Sequence, residues 1–437
     1  MIQPSLFDTE ERGLFEQICS IEQLAQAYRA VRANQGAAGI DGVSVDQFGA
    51  SLQEELDQLS HEVRHWSYHP SPVKRVRIPK PDNQGERLLG VPTVRDRVLQ
   101  QSIRMSLEPI FEREFSASSF GFRPNRGQQE AIAQAQRLVK EGKEWIVDID
   151  LEKFFDTINQ DRAIHLLQRK VEDKRILRLI GMTLRSGILE NSDFEASRVG
   201  TTQGSPLSPL LSNIVLDELD KELEQRGLSF CRFADDCNIF VGSEKAAKRV
   251  MVSITQFIEH RLKLKVNRRK SQTARSREVT FLGMTIEEGI VLISTKSLKR
   301  ARKQVKELTP RGTHLPLEQQ IERINQWYVG WSAYYRMTQM PSQLKGIEAH
   351  IRRRLRAQFV GSFNRRRHLF RKMLKQGVKP ATARHVFHSN KGRWKLAGSL
   401  PVGLAWNNDW FASRGLKTIS ENALPHWLPL SVWKQLS

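Results

Sequence analysis

The spacing of hydrophobic and polar residues predicts both strands and helices in the first 295 residues. Alternation from Val73 to Ile78 predicts a strand that turns at PDNQGE and returns as a hairpin with a basic tip. Apolar residues three and four apart predict helices from Val94 to about Phe111 and from near Gln128 onward. WIVDIDL (145–151) is strand-like, and FCRFADDCNIFV (230–241) is predicted as strand, tight turn and strand. Strands and helices mix without strict alternation, which favours an α+β fold.

The same patterns predict the remaining elements. The segment from Leu14 to Trp66 is predicted as helices around a glycine-containing loop, and a last hairpin is predicted at VTFLGMTIEEGIVLI. After Ser294 the pattern is helical. Further helices are predicted at 160–184, after QGSPLSP, and at 246–264.

Net charge is distributed unevenly along the 437 residues. Between Lys296 and Lys375 there are 20 Lys and Arg against 4 Asp and Glu, whereas the first 295 residues carry 41 basic and 42 acidic groups. A neutral body joined to a strongly basic C-terminal third predicts a folded unit coupled to a polyanion-binding unit. Solubility alone does not need this segregation, and an acidic membrane is a weaker alternative because the basic segment lacks a lipid-facing anchor.

Other features narrow the class of protein. Hydrophobic residues make up 39% of the chain, so a core is expected and wholesale disorder is not. Cys19, Cys231 and Cys237 have neither a disulfide nor a zinc spacing, which suits a reducing compartment. No signal peptide is visible at the N-terminus, and the longest charge-free run, 199–216, is too polar to span a membrane. We therefore expect a cytoplasmic protein with no membrane partner.

Two adjacent carboxylates, Asp235 and Asp236, interrupt the apolar run FCRFADDCNIFV. Turn chemistry alone can place an Asp pair at a hairpin tip, but VDIDL adds Asp148 and Asp150 on one face of another strand. If the two strands are neighbours, the carboxylates repel one another unless a cation neutralises them. All-oxygen ligands select Mg²⁺ or Mn²⁺, and two such ions can support phosphoryl transfer. Together with the basic segment, this pattern indicates nucleic acid as the substrate class.

Several motifs, in family order, resemble those of group II intron-encoded reverse transcriptases and maturases. DIDLEKFFDTI, QGSPLSPLLSN, FADD and FLG resemble the palm motifs of reverse transcriptases. Five further stretches resemble the group II intron-encoded members in particular. They are QGAAGIDGV, RIPKPDNQGERLLGVPTVRDRVLQQSI, SSFGFRPNRGQQEAI, LKVNRRKSQ and NQWYVGWSAYYRM. It implies a right-hand polymerase with fingers and palm over residues 1–290, a helical thumb or maturase X domain over 291–365, and a basic C-terminal nucleic-acid-binding region over 366–437.

The resemblance also implies which residues act in catalysis. Asp150, Asp235 and Asp236 match the catalytic carboxylates that hold two Mg²⁺ ions, for which Mn²⁺ is a possible substitute. Asp148 is expected to be structural. The implied reaction is attack of a primer 3′-hydroxyl on the α-phosphate of a dNTP, with loss of pyrophosphate.

Further matches concern the incoming nucleotide. Phe155 resembles the steric gate that favours deoxynucleotides, with the alternative that Phe154 and Phe155 are both core residues. The other positions that resemble nucleotide-binding residues are Lys80, Arg87, Gln203 and Lys270. Lys270 occupies the position often proposed to protonate pyrophosphate.

A third set of residues is expected to contact nucleic acid. It consists of Arg123, for template phosphates, and of Arg352, Arg353, Arg354, Arg365, Arg366 and Arg367. Aromatic residues at 327–335 are expected to form core, and base stacking stays open as the alternative to core packing for Trp394, Trp406, Trp410 and Phe411. The implied partners are an RNA template, a DNA or RNA primer, dNTPs, group II intron RNA in a ribonucleoprotein, and a DNA target.

Two departures from the family pattern are visible. Phe233 stands where a tyrosine more often precedes the Asp pair, and the paired cysteines and histidines of the family's zinc-dependent endonuclease are not found, so second-strand cutting is not expected. Three hypotheses stay open. They are a polymerase that also helps its own intron to splice, a stand-alone reverse transcriptase in repair or defence, and a splicing-only RNA-binding protein.

Overall fold

The computed structural model describes residues 13–79, 85–190, 193–196, 199–312, 315–363 and 365–418. The chain divides into two compact units, Met1–Arg275 and Ser276–Ser437. Within the described residues, helices and strands are mixed in the first unit, whereas the second is mainly helical. The α+β prediction is confirmed. None of the described helices combines the length and the hydropathy that a membrane crossing requires.

The first unit contains helices before, between and after its strands. The helices are α1 (Leu14–Ile18), α2 (Ile21–Ala33), α3 (Val45–Ala50), α4 (Leu52–Arg64), α5 (Val94–Glu112), α6 (Gln128–Lys140), α7 (Phe154–Thr157), α8 (Gln160–Gln168), α9 (Lys174–Leu184), α10 (Ser208–Gln225) and α11 (Glu244–Phe257). The strands are β1 (Val73–Pro79), β2 (Glu86–Val91), β3 (Trp145–Ile149), β4 (Ile188–Glu190), β5 (Asp193–Glu195), β6 (Ser229–Phe233), β7 (Asp236–Val241) and β8 (Gln272–Arg275).

Two four-stranded sheets organise this unit. One has the order β2-β1-β4-β5, and the other is antiparallel with the order β6-β7-β3-β8. Strand β3 lies beside β7, so the two strands that carry the predicted carboxylates are neighbours. Apolar residues from the helices and from β3, β6 and β7 form one buried core cluster behind this sheet.

Side-chain caps decide where several helices begin. The side chain of Thr93 accepts a hydrogen bond from the Asp96 amide and starts α5 close to its predicted bounds. The helix predicted over 160–184 is instead two helices, because the Asp173 side chain accepts a hydrogen bond from the Arg175 amide and starts α9. The short strands β4, β5 and β8 carry little alternation and were not predicted.

The FADD hairpin has a tight turn that requires a glycine beside it. Ala234 lies in the left-handed region with φ 57°, an uncommon conformation for a residue with a Cβ. The backbone of Gly121 approaches this turn so closely that a Cβ at 121 would lie 2.2 Å from the Ala234 amide nitrogen. The SFGFRP segment, residues 119–124, therefore packs directly against the turn that carries Asp235.

A buried ion pair holds the same hairpin from within. Arg232 donates from Nε and Nη2 to the two carboxylate oxygens of Asp220, at 2.7 and 2.5 Å, and both side chains have 0% exposure. Nη1 of Arg232 also donates to the carbonyl of Ala234 at 2.9 Å and to Oδ1 of Asn213 at 3.1 Å. The Asn213 amide donates in turn to the carbonyl of Gly121 at 2.9 Å. Helix α10, the SFGFRP segment and the hairpin turn are thus tied together by one network.

The second unit begins with a hairpin, β9 (Met284–Glu287) and β10 (Ile290–Ile293), at the predicted position. Its helices are α12 (Thr295–Leu308), α13 (Leu317–Tyr335), α14 (Pro341–Ser362), α15 (Arg366–Lys375), α16 (Pro380–Phe387), α17 (Arg393–Ala397), α18 (Leu400–Ala405) and α19 (Asn408–Ala412). A second core cluster lies among them. Tyr328, Trp406 and Phe411 are fully buried in it, which confirms core packing for these three aromatic residues.

Removal of the Asp220 carboxylate should destabilise the first unit strongly. Asp220→Ala leaves the Arg232 guanidinium buried without its counter-charge, which costs about 3–5 kcal/mol in the free energy of unfolding. Urea denaturation followed by circular dichroism measures the change. Lys248→Ala, which breaks the exposed pair with Glu244, is the control and should change stability by less than about 1 kcal/mol. Equal stability of the two variants would contradict a structural role for the buried pair.

Candidate active site

The carboxylates predicted from the sequence meet at one end of the β3–β7 pair. Ile149 is paired with Cys237 and Asp148 with Asn238, so continuing the register by one residue sets Asp150 opposite Asp236. Asp235 lies in the turn between β6 and β7. The structure therefore brings the three predicted catalytic carboxylates together.

Burial and repulsion between neighbouring carboxylates raise the pKa of Asp235 and of Asp236. Desolvation by the surrounding protein and repulsion from Asp235, Asp148 and Asp150 raise the pKa of Asp236 to about 7, although its side chain still reaches solvent. Burial, together with repulsion from Asp150, raises the pKa of Asp235, while the positive charges of Arg87 and Arg232 act in the opposite direction. Burial also raises the pKa of Asp148 to about 6. The site concentrates negative charge that the neighbouring cations only partly offset.

The donor set at this end of the sheet fits a hard divalent cation. Asp150, Asp235 and Asp236 offer only carboxylate oxygens, which Mg²⁺ and Mn²⁺ prefer over softer ligands. Among the described residues, no three His, Cys, Asp or Glu side chains are already arranged as a ligand shell. A bound cation would offset the mutual repulsion of these carboxylates.

Lys270 supplies positive charge beside the cluster. Its Nζ lies 3.4 Å from Oδ2 of Asp150, and its side chain is 61% exposed. The loop before β8 is anchored at the same place, because Ser271 Oγ accepts a hydrogen bond from the Asp150 amide at 3.0 Å and the Asn267 amide donates to the Asp150 carbonyl at 2.8 Å. The structure thus places the largely exposed Lys270 side chain beside the carboxylates.

The loop that contains Gln203 connects the predicted nucleotide-binding residues. The Thr201 amide donates to the Phe155 carbonyl at 2.7 Å, and the Gly90 amide of β2 donates to the Gln203 carbonyl at 2.8 Å. Gly204 has φ 116°, and a Cβ there would lie 2.6 Å from the Gly90 carbonyl oxygen. The close packing of this loop on β2 therefore holds Gln203, Phe155 and the Arg87 strand in one region.

The two adjacent phenylalanines have different environments. Phe154 is 2% exposed and belongs to the core. Phe155 is only partly buried, and its ring contacts Phe154 at 5.5 Å and the exposed Phe122 at 6.5 Å between centroids, both edge-on. Phe154 therefore lies inside the core cluster, whereas Phe155 packs against the cluster and keeps part of its side chain exposed.

The predicted basic hairpin is described only in part. Arg87 lies on β2 opposite Ile78 of β1, is exposed, and is close enough to Asp235 to act on its pKa. Lys80 lies outside the described residues. Arg87 therefore occupies a position from which a guanidinium can reach an anion near the carboxylates.

Arg123 does not fit the role predicted for it. Its side chain is 3% exposed, and its guanidinium donates to the Glu112 carboxylate at 2.8 and 3.0 Å and to the carbonyls of Ser116 and Ser119 at 2.5 and 2.8 Å. A guanidinium whose donors are already used inside the protein has none left for a template phosphate. Arg123 instead fixes the SFGFRP segment to the end of α5.

The predicted arginines of the second unit also fall into two groups. Three on α14 are used within the unit: Arg352 pairs with Glu348, Arg353 donates to the Trp394 carbonyl, and Arg354 donates to Thr309. These contacts use only some of the donors of each guanidinium, so phosphate contact by these three arginines stays a prediction. In contrast, Arg365 and Arg367 are exposed, while Arg366 donates to the Lys391 carbonyl at 2.8 Å.

Sequence reasoning missed the residues that position the catalytic turn. Arg232, Asp220 and Asn213 act through long-range hydrogen bonds, and no local pattern identifies such partners. The available signal was a charged residue, Arg232, inside an otherwise apolar strand, because a buried charge requires a partner. Phe122, which faces Phe155, was also missed.

Two family models match consecutive parts of the chain. Residues 78–286 match the model described as reverse transcriptase (RNA-dependent DNA polymerase). Residues 298–377 match the model described as group II intron, maturase-specific domain. The first match contains the carboxylate site, and the second lies within the helical unit.

Three curated relatives are similar to this chain. Protein YkfC of Escherichia coli (strain K12) is 32% identical over 299 residues, covering 59% of this chain and 78% of the relative. Group II intron-encoded protein LtrA of Lactococcus lactis subsp. cremoris is 35% identical over 47% of this chain. The putative COX1/OXI3 intron 2 protein of Saccharomyces cerevisiae (strain ATCC 204508 / S288c) is 29% identical over 64% of it. The matched regions span 34% of LtrA and 39% of the yeast protein.

The matches and the site agree. Both family models appear in the order that the sequence motifs predict, and the carboxylates lie where the reverse transcriptase model matches. Such enzymes depend on divalent metal, which suits the all-oxygen donor set, and they act on nucleic acid. The chain therefore belongs to the group II intron-encoded reverse transcriptase and maturase family.

Proposed function

We propose that this protein copies RNA into DNA by metal-dependent nucleotidyl transfer. The observation that carries the proposal is the convergence of Asp150, Asp235 and Asp236 at the end of the β3–β7 pair, inside the region that matches reverse transcriptases. Three like charges held this close repel one another, and binding of two Mg²⁺ ions would offset this repulsion.

Each group of residues has a separate part in this reaction. Asp150, Asp235 and Asp236 would hold the metal ions, which when bound activate the primer hydroxyl and neutralise charge on the phosphates. Arg87 would bind the triphosphate through its guanidinium fork. Lys270, already beside Asp150, would stabilise or protonate the departing pyrophosphate.

Nucleotide selection would depend on Phe155. Its backbone is fixed by the hydrogen bond from Thr201, and its ring is only partly covered by Phe154 and Phe122. A ring fixed in this way would exclude the 2′-hydroxyl of a ribonucleotide by steric overlap. We therefore expect dNTPs to be the substrates.

A second function, binding of group II intron RNA to assist splicing and mobility, is supported by a different observation. Residues 298–377 match the maturase-specific model, and the chain has a net excess of basic residues in this region. Such an excess favours a polyanionic partner. A stand-alone reverse transcriptase and a splicing-only protein remain the alternatives, and primer extension separates the second of them from the polymerase.

Loss of a catalytic carboxylate should abolish DNA synthesis. Primer extension with Mg²⁺ and dNTPs on an annealed RNA template should yield full-length DNA with the wild type. Asp150→Asn and Asp235→Asn should each lower the rate more than about 10³-fold, since losing one electrostatic stabiliser elsewhere costs about 10²–10³-fold.

Asp148→Asn is the matched control, because Asp148 lies on the same strand and face as Asp150 but is paired with Asn238 inside the sheet. It should retain activity within about tenfold. If the wild type binds the primer–template tightly but makes no DNA, the polymerase proposal fails and the splicing-only alternative takes its place.

Truncation of the steric gate should relax sugar selection. Phe155→Ala should raise the ratio of ribonucleotide to deoxynucleotide incorporation by at least about tenfold, because removal of a steric contact is worth roughly 10–200-fold in discrimination. Single-nucleotide extension with rNTPs and dNTPs measures this ratio.

Phe154→Ala is the companion variant. It should lower the free energy of unfolding by about 3–5 kcal/mol through a core cavity without shifting the sugar preference. An unchanged preference in Phe155→Ala would show that another residue excludes ribonucleotides.

A further inference from the structure

A groove in the second unit concentrates positive charge. It lies between the C-terminal half of α12, the loop that follows it, α14, and the segment 389–395. Its exposed basic residues are Arg302, Lys303, Lys306, Arg311, Lys391 and Lys395. Among the described residues that line it, none is acidic, and the nearest carboxylate on α12 is Glu307, 4.0 Å from Lys303.

The cations of this groove act on one another. Burial, followed by the charges of Arg354, Arg302 and Arg353, lowers the pKa of His350. Burial and the charges of Arg311 and Arg393 lower the pKa of Arg354. An anion in the groove would relieve this repulsion, and a string of phosphates would relieve it along the whole length.

Trp394 gives the groove a second kind of contact. Its side chain is 39% exposed, whereas Trp406 and Phe411 of the same unit are buried. The guanidinium of Arg353 lies over the ring at 4.2 Å from its centroid and donates to the Trp394 carbonyl at 3.2 Å, and His350 contacts the ring edge-on at 5.8 Å. The ring is therefore held in one orientation while part of it stays open to the groove.

We infer that this groove binds a single-stranded segment of nucleic acid, with an unpaired base stacked on Trp394 and the flanking phosphates on the basic side chains. An exposed aromatic ring among cations is the usual combination for single strands, because every base offers a face for stacking. A duplex keeps its bases inside and cannot use the ring. The inference rests on the proposed function for its class of partner, and it adds a site outside the carboxylate cluster.

The test measures binding of a second strand by the full-length protein. With the polymerase site saturated by an annealed primer–template, fluorescence anisotropy follows a labelled 12-nucleotide single-stranded RNA, the same sequence as DNA, and an RNA duplex. Trp394→Leu should weaken binding of single strands at least about tenfold, in line with the loss of a stacked base. Trp394→Phe, which keeps a ring, should restore most of it, and neither variant should change extension of the annealed primer.

A charge-matched pair tests the groove itself. Lys306→Ala with Lys391→Ala should reduce the slope of log affinity against log salt by about 1.4, since each phosphate contact on a single strand contributes about 0.7. Lys372→Ala with Lys375→Ala, on exposed positions of α15 outside the groove, should change it by less than half as much.

The outcomes separate this inference from the proposed polymerase activity. A loss in Trp394→Leu with RNA alone, or with RNA and DNA alike, supports the groove and identifies the sugar it accepts. Equal binding by Trp394→Leu and wild type, an equal loss with the duplex, or equal effects of the two lysine pairs overturns it. If the wild type makes no DNA but Trp394→Leu still loses single-strand binding, the polymerase proposal fails and the groove stands.

Discussion

The buried pair of Arg232 and Asp220 is the interaction on which the catalytic end of the sheet depends. Two charges removed from water are tolerated only when each satisfies the other and the remaining donors find acceptors. Here the spare donor of Arg232 bonds the carbonyl of Ala234 and the side chain of Asn213. The pair therefore also sets the position of the turn that presents Asp235, because Arg232 bonds to the backbone of that turn.

The carboxylate cluster and this ion pair make opposite electrostatic demands. Within the ion pair, opposite charges compensate one another in a fully buried site. At the end of β3 and β7, like charges are held together, and the positive charges of Arg87, Arg232 and Lys270 act against their repulsion. The hydrogen-bond network of Arg232, Asp220 and Asn213 fixes the turn, and it therefore keeps the carboxylates close to one another although their charges repel.

Positive charge in the second unit has two uses, and counting arginines does not distinguish them. The three consecutive arginines of α14 bond to carbonyls, a hydroxyl and a carboxylate of their own unit. The exposed lysines and arginines of α12 and of the segment 389–395 face a groove that Arg354 also lines and that has no acidic lining among the described residues. The sequence predicts the excess of charge, whereas packing decides which charges are available to a partner.

Much of the fold and of the site was predictable from local pattern. Alternation and helical spacing identified β1, β3, the FADD hairpin and α5, and the motif order identified Asp150, Asp235 and Asp236, because the chemistry of metal-dependent transfer requires those residue types. Three features were not predictable: the break between α8 and α9, the short strands β4, β5 and β8, and the burial of Arg123. Caps leave no periodic signal, and strand partners and buried acceptors lie far apart in sequence.

The sequence by itself determined which residues have catalytic chemistry and how charge is divided between the two parts of the chain. Only the tertiary structure decided that Phe154 is fully buried while Phe155 is partly exposed, that the Arg123 guanidinium is bound by Glu112, and that Arg232 supports the catalytic turn. Burial and hydrogen-bond partners arise from contacts between distant segments.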